Sequence, residues 1–105
     1  MNNMELSVTH QGDHVRFEVQ GEIDEKGAED LKQRFNELNS AALKELTINF
    51  QKVTHIGSAG IGKLLLFYKD MAVNGGHVRL ENLSKTLYEL FMTLKLDTIF
   101  SISRA

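Results

Sequence analysis

The segment from Gly57 to Leu64 has the sequence G-S-A-G-I-G-K-L and contains the residues of this chain best suited to chemistry. Gly57, Gly62 and Lys63 match a phosphate-binding loop of the type G-x-x-x-x-G-K-[ST], in which backbone amides and the lysine hold nucleotide phosphates. Leu64 departs from that motif because it has no hydroxyl for Mg²⁺. Residues 51–56 also separate the preceding apolar strand from the loop, which disfavours a nucleotide-binding enzyme.

Ser58 supports a different interpretation of the same segment. A serine at the start of a helix is commonly its N-cap, with the hydroxyl accepting hydrogen bonds from the first free backbone N–H groups. The same position lies at the positive end of the helix dipole, where an attached phosphate is well tolerated. Phosphorylation would add about −1.5 to −2 charges there and act as a surface switch without unfolding the domain.

Hydrophobic periodicity predicts the elements that must position this segment. Alternating apolar residues around Leu6–Val8 and Val15–Val19, joined by a Gly12-Asp13 turn, predict a β-hairpin. Further strands are predicted near 46–51, 77–81 and 99–102, and helical stripes over 28–42, 61–72 and 83–94. Because the strands alternate rather than run apolar throughout, we predict an α/β fold with a mixed β-sheet and all helices on one face, in the order β-β-α-β-α-β-α-β.

Composition limits the functional classes that fit. The chain has 105 residues, no cysteine and a net charge of −2, which excludes thiol chemistry and gives no overall field for nucleic acid. The first five residues show no signal-peptide pattern, and the longest apolar run, Leu64–Tyr68, is too short for membrane insertion. The four histidines form no metal-binding pair. We therefore expect a small cytoplasmic domain without a metal site.

Three short motifs make the chain similar to bacterial STAS domains, and most of all to the anti-sigma factor antagonists. They are Gly21-Glu22-Ile23-Asp24, Ser58-Ala59-Gly60-Ile61-Gly62 and Leu80-Glu81-Asn82-Leu83-Ser84. In that family the first motif closes the second strand, and D-S-x-G-[IL]-G opens the second helix. The likeness extends from Leu6 to about Ile102 and implies a single STAS domain over residues 1–105.

The resemblance implies a phosphorylation-switched binding protein rather than an enzyme, with no cofactor. The family serine that a partner serine kinase phosphorylates falls on Ser58, and that kinase is also the anti-sigma factor. The unphosphorylated domain is expected to bind this ATP-binding partner and the phosphorylated domain to release it. A PP2C-type phosphatase would reset the switch. The alternative is a non-switching STAS scaffold, or an accessory subunit of a signalling complex or lipid transporter.

The resemblance also implies a partner-binding set around the phosphoacceptor: Asp24, Gly57, Ser58, Ala59, Gly60 and Ile61. Two members have a second interpretation, because Asp24 is also suited to the start of a helix and Ile61 to the core. Gly57 stands where the family usually has Asp. Glycine removes a carboxylate and permits positive φ, which bears on kinase recognition, phosphorylation rate and the identity of the kinase. The acceptor hydroxyl remains.

Overall fold

A computed structural model describes residues 3–105, which form one five-stranded sheet and three α-helices. The elements are β1 (Met4–Gln11), β2 (His14–Ile23), α1 (Glu25–Asn36), β3 (Glu45–Ile56), α2 (Ser58–Ala72), β4 (His77–Leu83), α3 (Lys85–Thr93) and β5 (Ser101–Arg104). Short 3₁₀ turns cover Ser40–Ala42 and Leu96–Thr98. The predicted element order is confirmed. The signal-peptide prediction for the N-terminus rests partly on residues 1 and 2, which lie outside the described residues.

The strands lie side by side in the order β1-β2-β3-β4-β5. The β1–β2 pair is an antiparallel hairpin whose turn includes Gly12 at φ +58°, whereas β2, β3, β4 and β5 are mutually parallel. Each parallel pair is joined by a crossover that contains one helix. As a result, the carboxyl ends of β2, β3 and β4 meet at one edge of the sheet, and a helix begins after each of them.

One face of the sheet is apolar and lies in the core beneath the helices, while the other is polar. Alternate residues of β2 and β3 are buried: Val15, Phe17, Val19, Leu46, Ile48 and Phe50. Helices α1 and α2 pack over this face, where the Phe35 and Phe67 rings stack with centroids 4.4 Å apart. The predicted mixed sheet with one covered face is confirmed.

A polar network crosses the open face and ties three parallel strands together. Arg16 pairs with Glu18 and with Glu81, while the Asn49 amide donates to Glu18 Oε2 at 2.6 Å and the Asn82 amide to Asn49 Oδ1 at 3.0 Å. The hydrogen bond from Arg16 is the main cause that lowers the pKa of Glu18, and Glu18 in turn raises the pKa of Arg16. Asn82 adopts φ +60°, a left-handed conformation that asparagine tolerates better than most residues.

The third strand is longer than the sequence pattern predicts. The strand was expected to end near residue 51, with the residues up to 56 separating it from the loop that follows, yet β3 continues to Ile56. The β2–β3 register shifts after Glu18, and buried residues then recur every third position, at Phe50, Val53 and Ile56. This irregularity interrupts the two-residue alternation on which the prediction depended. The alternation therefore could not predict where the strand ends.

The helices also differ from their predicted stripes. Helix α1 ends at Asn36 rather than near Ala42, and a separate 3₁₀ turn over Ser40–Ala42 leads into Leu43, which is buried in the core. In α2 the large buried side chains are Leu64, Phe67 and Met71, whereas Leu65, within the stripe predicted over 61–72, is 40% exposed. The last strand begins after, not at, the apolar residues 99 and 100.

Substitutions at neighbouring positions test which face of α2 is buried. Phe67→Ala should reduce the free energy of unfolding by about 3–5 kcal/mol, since it removes a buried ring that stacks on Phe35. Leu66→Ala should change it by about 0.5 kcal/mol or less, because Leu66 is 42% exposed. Urea denaturation followed by circular dichroism measures both. Equal losses at the two positions would contradict the burial of Phe67.

Candidate functional site

The parallel pairing of β2 with β3 brings two of the predicted site residues to the same edge of the sheet. Ile23 and Ile56, the last residues of these strands, are register partners, and the Gly57 N–H donates to the Ile23 carbonyl at 3.0 Å. Asp24 follows Ile23 directly, and Ser58 follows Gly57. The G-E-I-D motif and the G-S-A-G-I-G motif therefore form adjacent turns, although more than thirty residues separate them in sequence.

Ser58 is the first residue of α2, and the prediction that it caps this helix is wrong. The N-cap is Gly57, in extended conformation at φ −93° and ψ 177°, and no side chain caps the helix. The extended path of β3 continues through Gly57, whose N–H is bonded to Ile23, and the N-cap therefore lies one residue earlier than expected, so that the helix includes Ser58. The Ser58 side chain is exposed, and its hydroxyl is not committed to capping.

Gly57 does not use the conformational freedom of glycine. Its φ of −93° is open to any residue, and a Cβ added there would meet only the Ile23 carbonyl oxygen, at 3.9 Å. The positive φ that glycine would permit is therefore absent. An aspartate would fit at this position, so the substitution changes the charge of the loop and not its path.

Gly60 is required for packing. A Cβ at residue 60 would lie 2.7 Å from Ile23 Cγ2 and 2.7 Å from Ile56 Cγ1, far inside van der Waals contact. Gly60 is buried, and the close approach it permits is between α2 and the strand ends. Ala59 and Ile61, on either side, are partly buried and pack at the margin of the core. The partial burial of Ile61 is thus compatible with both of its predicted roles, in the core and in the partner-binding set.

Asp24 is the N-cap of α1, as one of its two predicted interpretations required. Its Oδ1 accepts from the Gly27 N–H at 2.8 Å, and its Oδ2 accepts from the Asn3 amide at 3.2 Å. These bonds, that of Gly27 first, hold the pKa of Asp24 below its ordinary value. The carboxylate is charged near neutral pH and stands at the same edge as Ser58.

The phosphate-loop alternative is not strengthened by this geometry. The argument that residues 51–56 separate the strand from the loop was wrong, since β3 extends to Ile56 and reaches the loop. However, Leu64, at the position of the motif's hydroxyl, is fully buried in the core. The Lys63 ammonium lies 3.7 Å from Glu29 Oε2, across the α1–α2 contact. The lysine therefore joins two helices.

Within residues 3–105, no three histidine or acidic side chains are grouped so that they could hold a metal ion. Within the same range, no helix is long and apolar enough to cross a membrane.

Sequence reasoning missed Asn3, whose side chain contacts Asp24, because no local sequence pattern predicts a contact between residues 21 positions apart.

This arrangement, with a one-sided mixed sheet and two motif turns at its carboxyl edge, defines the class of the protein. The chain belongs to the STAS domain family, whose model matches residues 5–105. It is 30% identical over 101 residues to the anti-sigma-B factor antagonist of Bacillus subtilis strain 168, covering 96% of this chain and 92% of that relative.

Solved structures share the fold at lower identity. An anti-sigma factor antagonist from Mycobacterium paratuberculosis superimposes with a TM-score of 0.83 and 20% identity, over 97% of this chain and 86% of that one. The Bacillus cell fate determinant SpoIIAA in its phosphorylated form superimposes with a TM-score of 0.76 and 19% identity, over 93% and 90%. The predicted resemblance to STAS domains and anti-sigma factor antagonists is confirmed.

Two glycines of α2 provide a matched test of its seating on the sheet. Gly60→Ala should destabilise the domain by about 1–3 kcal/mol, because the added methyl group overlaps Ile23 and Ile56. Gly62→Ala should stabilise it by up to about 1 kcal/mol, since nothing lies within 4 Å of its added Cβ and alanine favours helix. Chemical denaturation of the two variants measures the difference. A tolerated Gly60→Ala would contradict the packing described above.

The free energy of unfolding should depend on pH through the ionisation of Asp24. Because its folded pKa is lowered, its charged form contributes stability above its ordinary pKa of 3.8, and this contribution is lost as pH falls through the lower folded value. Asp24→Asn keeps a capping oxygen but does not titrate. The wild type should therefore lose stability relative to this variant below about pH 4. Thermal unfolding at a series of pH values measures this, and parallel curves would contradict it.

Proposed function

We propose that this domain is a phosphorylation-switched anti-sigma factor antagonist whose phosphoacceptor is Ser58. With Ser58 unphosphorylated, the chain binds a serine kinase of the ATP-binding type that also serves as the anti-sigma factor. Phosphorylation by that kinase releases the complex, and a PP2C-type phosphatase restores the binding form. The chain acts in the cytoplasm as a single STAS domain over residues 1–105, by binding and not by catalysis.

One observation carries the proposal: the Ser58 hydroxyl is exposed and free of capping at the first residue of α2, next to the Asp24 turn. A kinase needs such a hydroxyl within reach. The backbone around it is held by the sheet, so an attached phosphate need not disturb the fold. The 30% identical relative, an anti-sigma-B factor antagonist, and the phosphorylated form of SpoIIAA support this role by similarity.

The proposed partner surface is centred on this edge. Asp24, Gly57, Ser58, Ala59 and Ile61 supply its exposed or partly exposed atoms, while Gly60 supports them from below. A phosphate on Ser58 would add about −1.5 to −2 charges next to the charged Asp24 carboxylate. A partner fitted to the neutral hydroxyl would then face an unpaired, desolvated dianion, which strongly disfavours the complex.

Substitutions at Ser58 test the switch. Ser58→Ala should retain binding and accept no phosphate, while Ser58→Asp should weaken binding at least tenfold through the added charge. Tagged chains with each substitution are used to capture proteins from the native cells. The captured ATP-binding kinase is then purified, and its affinity for each variant is measured by calorimetry. Incubation of the wild type with this kinase and ATP should add one phosphate, mapped to Ser58 by mass spectrometry.

Ser84 supplies the matched control, because it is a second exposed serine at a helix start on the same edge. Its hydroxyl is committed to capping, accepting from the Leu87 N–H at 3.2 Å. Ser84→Asp preserves the cap and should leave kinase binding nearly unchanged. If Ser58→Ala and Ser58→Asp bind every captured partner alike, the chain is a non-switching scaffold and the proposal is wrong.

A further inference from the structure

We propose that Asn3 is a positioning residue for Asp24, and that the amino end of β1 is thereby part of the partner-binding surface. This inference rests on the proposed function, in which Asp24 contacts the kinase. It adds the amino end of β1, which lies outside the three motifs, to the proposed surface. Within it, Asn3 has the specific role of orienting the Asp24 carboxylate.

The backbone of Asn3 crosses directly over the G-E-I-D turn. Its carbonyl accepts from the Glu22 N–H at 2.9 Å. Gly21, two residues after the buried Val19, adopts φ +98°, and a Cβ there would lie only 2.2 Å from the Asn3 carbonyl oxygen. The glycine of the G-E-I-D motif therefore makes room for this crossing. Any side chain at residue 21 would push the amino end of β1 off the turn.

The side chain of Asn3 provides a second hydrogen bond to the Asp24 carboxylate. The amide of Asn3 donates to Asp24 Oδ2 at 3.2 Å, while the Gly27 N–H donates to Oδ1 at 2.8 Å from the other side. With a donor on each oxygen, the plane of the carboxylate is set.

Met4 anchors the segment that carries Asn3. It is 5% exposed, and its sulfur lies 3.0 Å from the position that a Cβ on Gly27 would occupy. Burial of the adjacent methionine keeps the asparagine over the turn at little further entropic cost. The Asp24 turn is in turn joined to the phosphoacceptor loop, since Ile23 accepts from the Gly57 N–H at 3.0 Å. Asn3, Asp24 and Ser58 thus belong to one connected surface.

A carboxylate that is already oriented loses less freedom when a partner binds it. Asn3→Ala should therefore weaken binding of the purified kinase about three- to tenfold, with a small change in melting temperature. Asn3→Asp should weaken it further, because a second carboxylate at the amide position repels Asp24. Both variants should raise the pKa of Asp24, measured by NMR titration of the free chain. Asn39→Ala, at an exposed asparagine without a capping bond, is the matched control and should change neither quantity.

The two readouts separate this inference from the proposed function. A raised Asp24 pKa together with weakened kinase binding supports the inference. An unchanged pKa in Asn3→Ala overturns it, as does normal kinase binding by Asn3→Asp. If the wild type captures no ATP-binding kinase in either state of Ser58, the proposed function fails, and the role of Asn3 in partner binding is overturned with it. The titration would in that case still report whether Asn3 holds Asp24.

Discussion

The candidate site depends on one steric constraint, which is that residue 60 has no side chain. Only a glycine lets α2 approach Ile23 and Ile56 closely enough for its first turn to rest on the ends of β2 and β3. The pairing of β2 with β3 places the Gly57 N–H against the Ile23 carbonyl at the same edge. The loop with the proposed phosphoacceptor is therefore positioned by a paired sheet edge and by a helix with one buried face, both of which are rigid compared with a free loop.

A rigid support determines what a charge at Ser58 can do. Beyond the first turn, α2 is held by the buried residues Leu64, Phe67 and Met71, and the polar network on the opposite face ties β2, β3 and β4 together. A phosphate attached to such a scaffold would change the surface potential without ordering or melting a segment. In the proposed switch the partner would therefore sense charge, and the fold of the domain would be the same in both states.

The sequence predicted the element order and the one-sided sheet, because both follow from periodicity over many residues, whereas the closeness of Asp24 to Ser58 was implied only by the resemblance to STAS domains. It failed where a single contact decides the outcome. The register shift after Glu18 hid the true end of β3, and the bond between Gly57 and Ile23 moved the N-cap away from Ser58. The contact of Asn3 with Asp24 joins residues far apart in the chain, and hydrophobic patterning carries no information about such polar contacts.

The glycine at residue 57 changes the electrostatics of the proposed switch rather than its shape. The backbone there suits any residue, and the first turn of α2 contains no acidic side chain, whereas α1 begins with Asp24 and Glu25. In a chain with Asp at this position, a phosphate on the next residue would meet an existing carboxylate. Here it would meet an uncompensated helix dipole, which favours the anion. Phosphorylation would thus place a strong negative charge at a helix start whose first turn has no acidic side chain of its own. A partner that discriminates the two forms here must do so from the phosphate and Asp24, without help from a neighbouring acid in the loop.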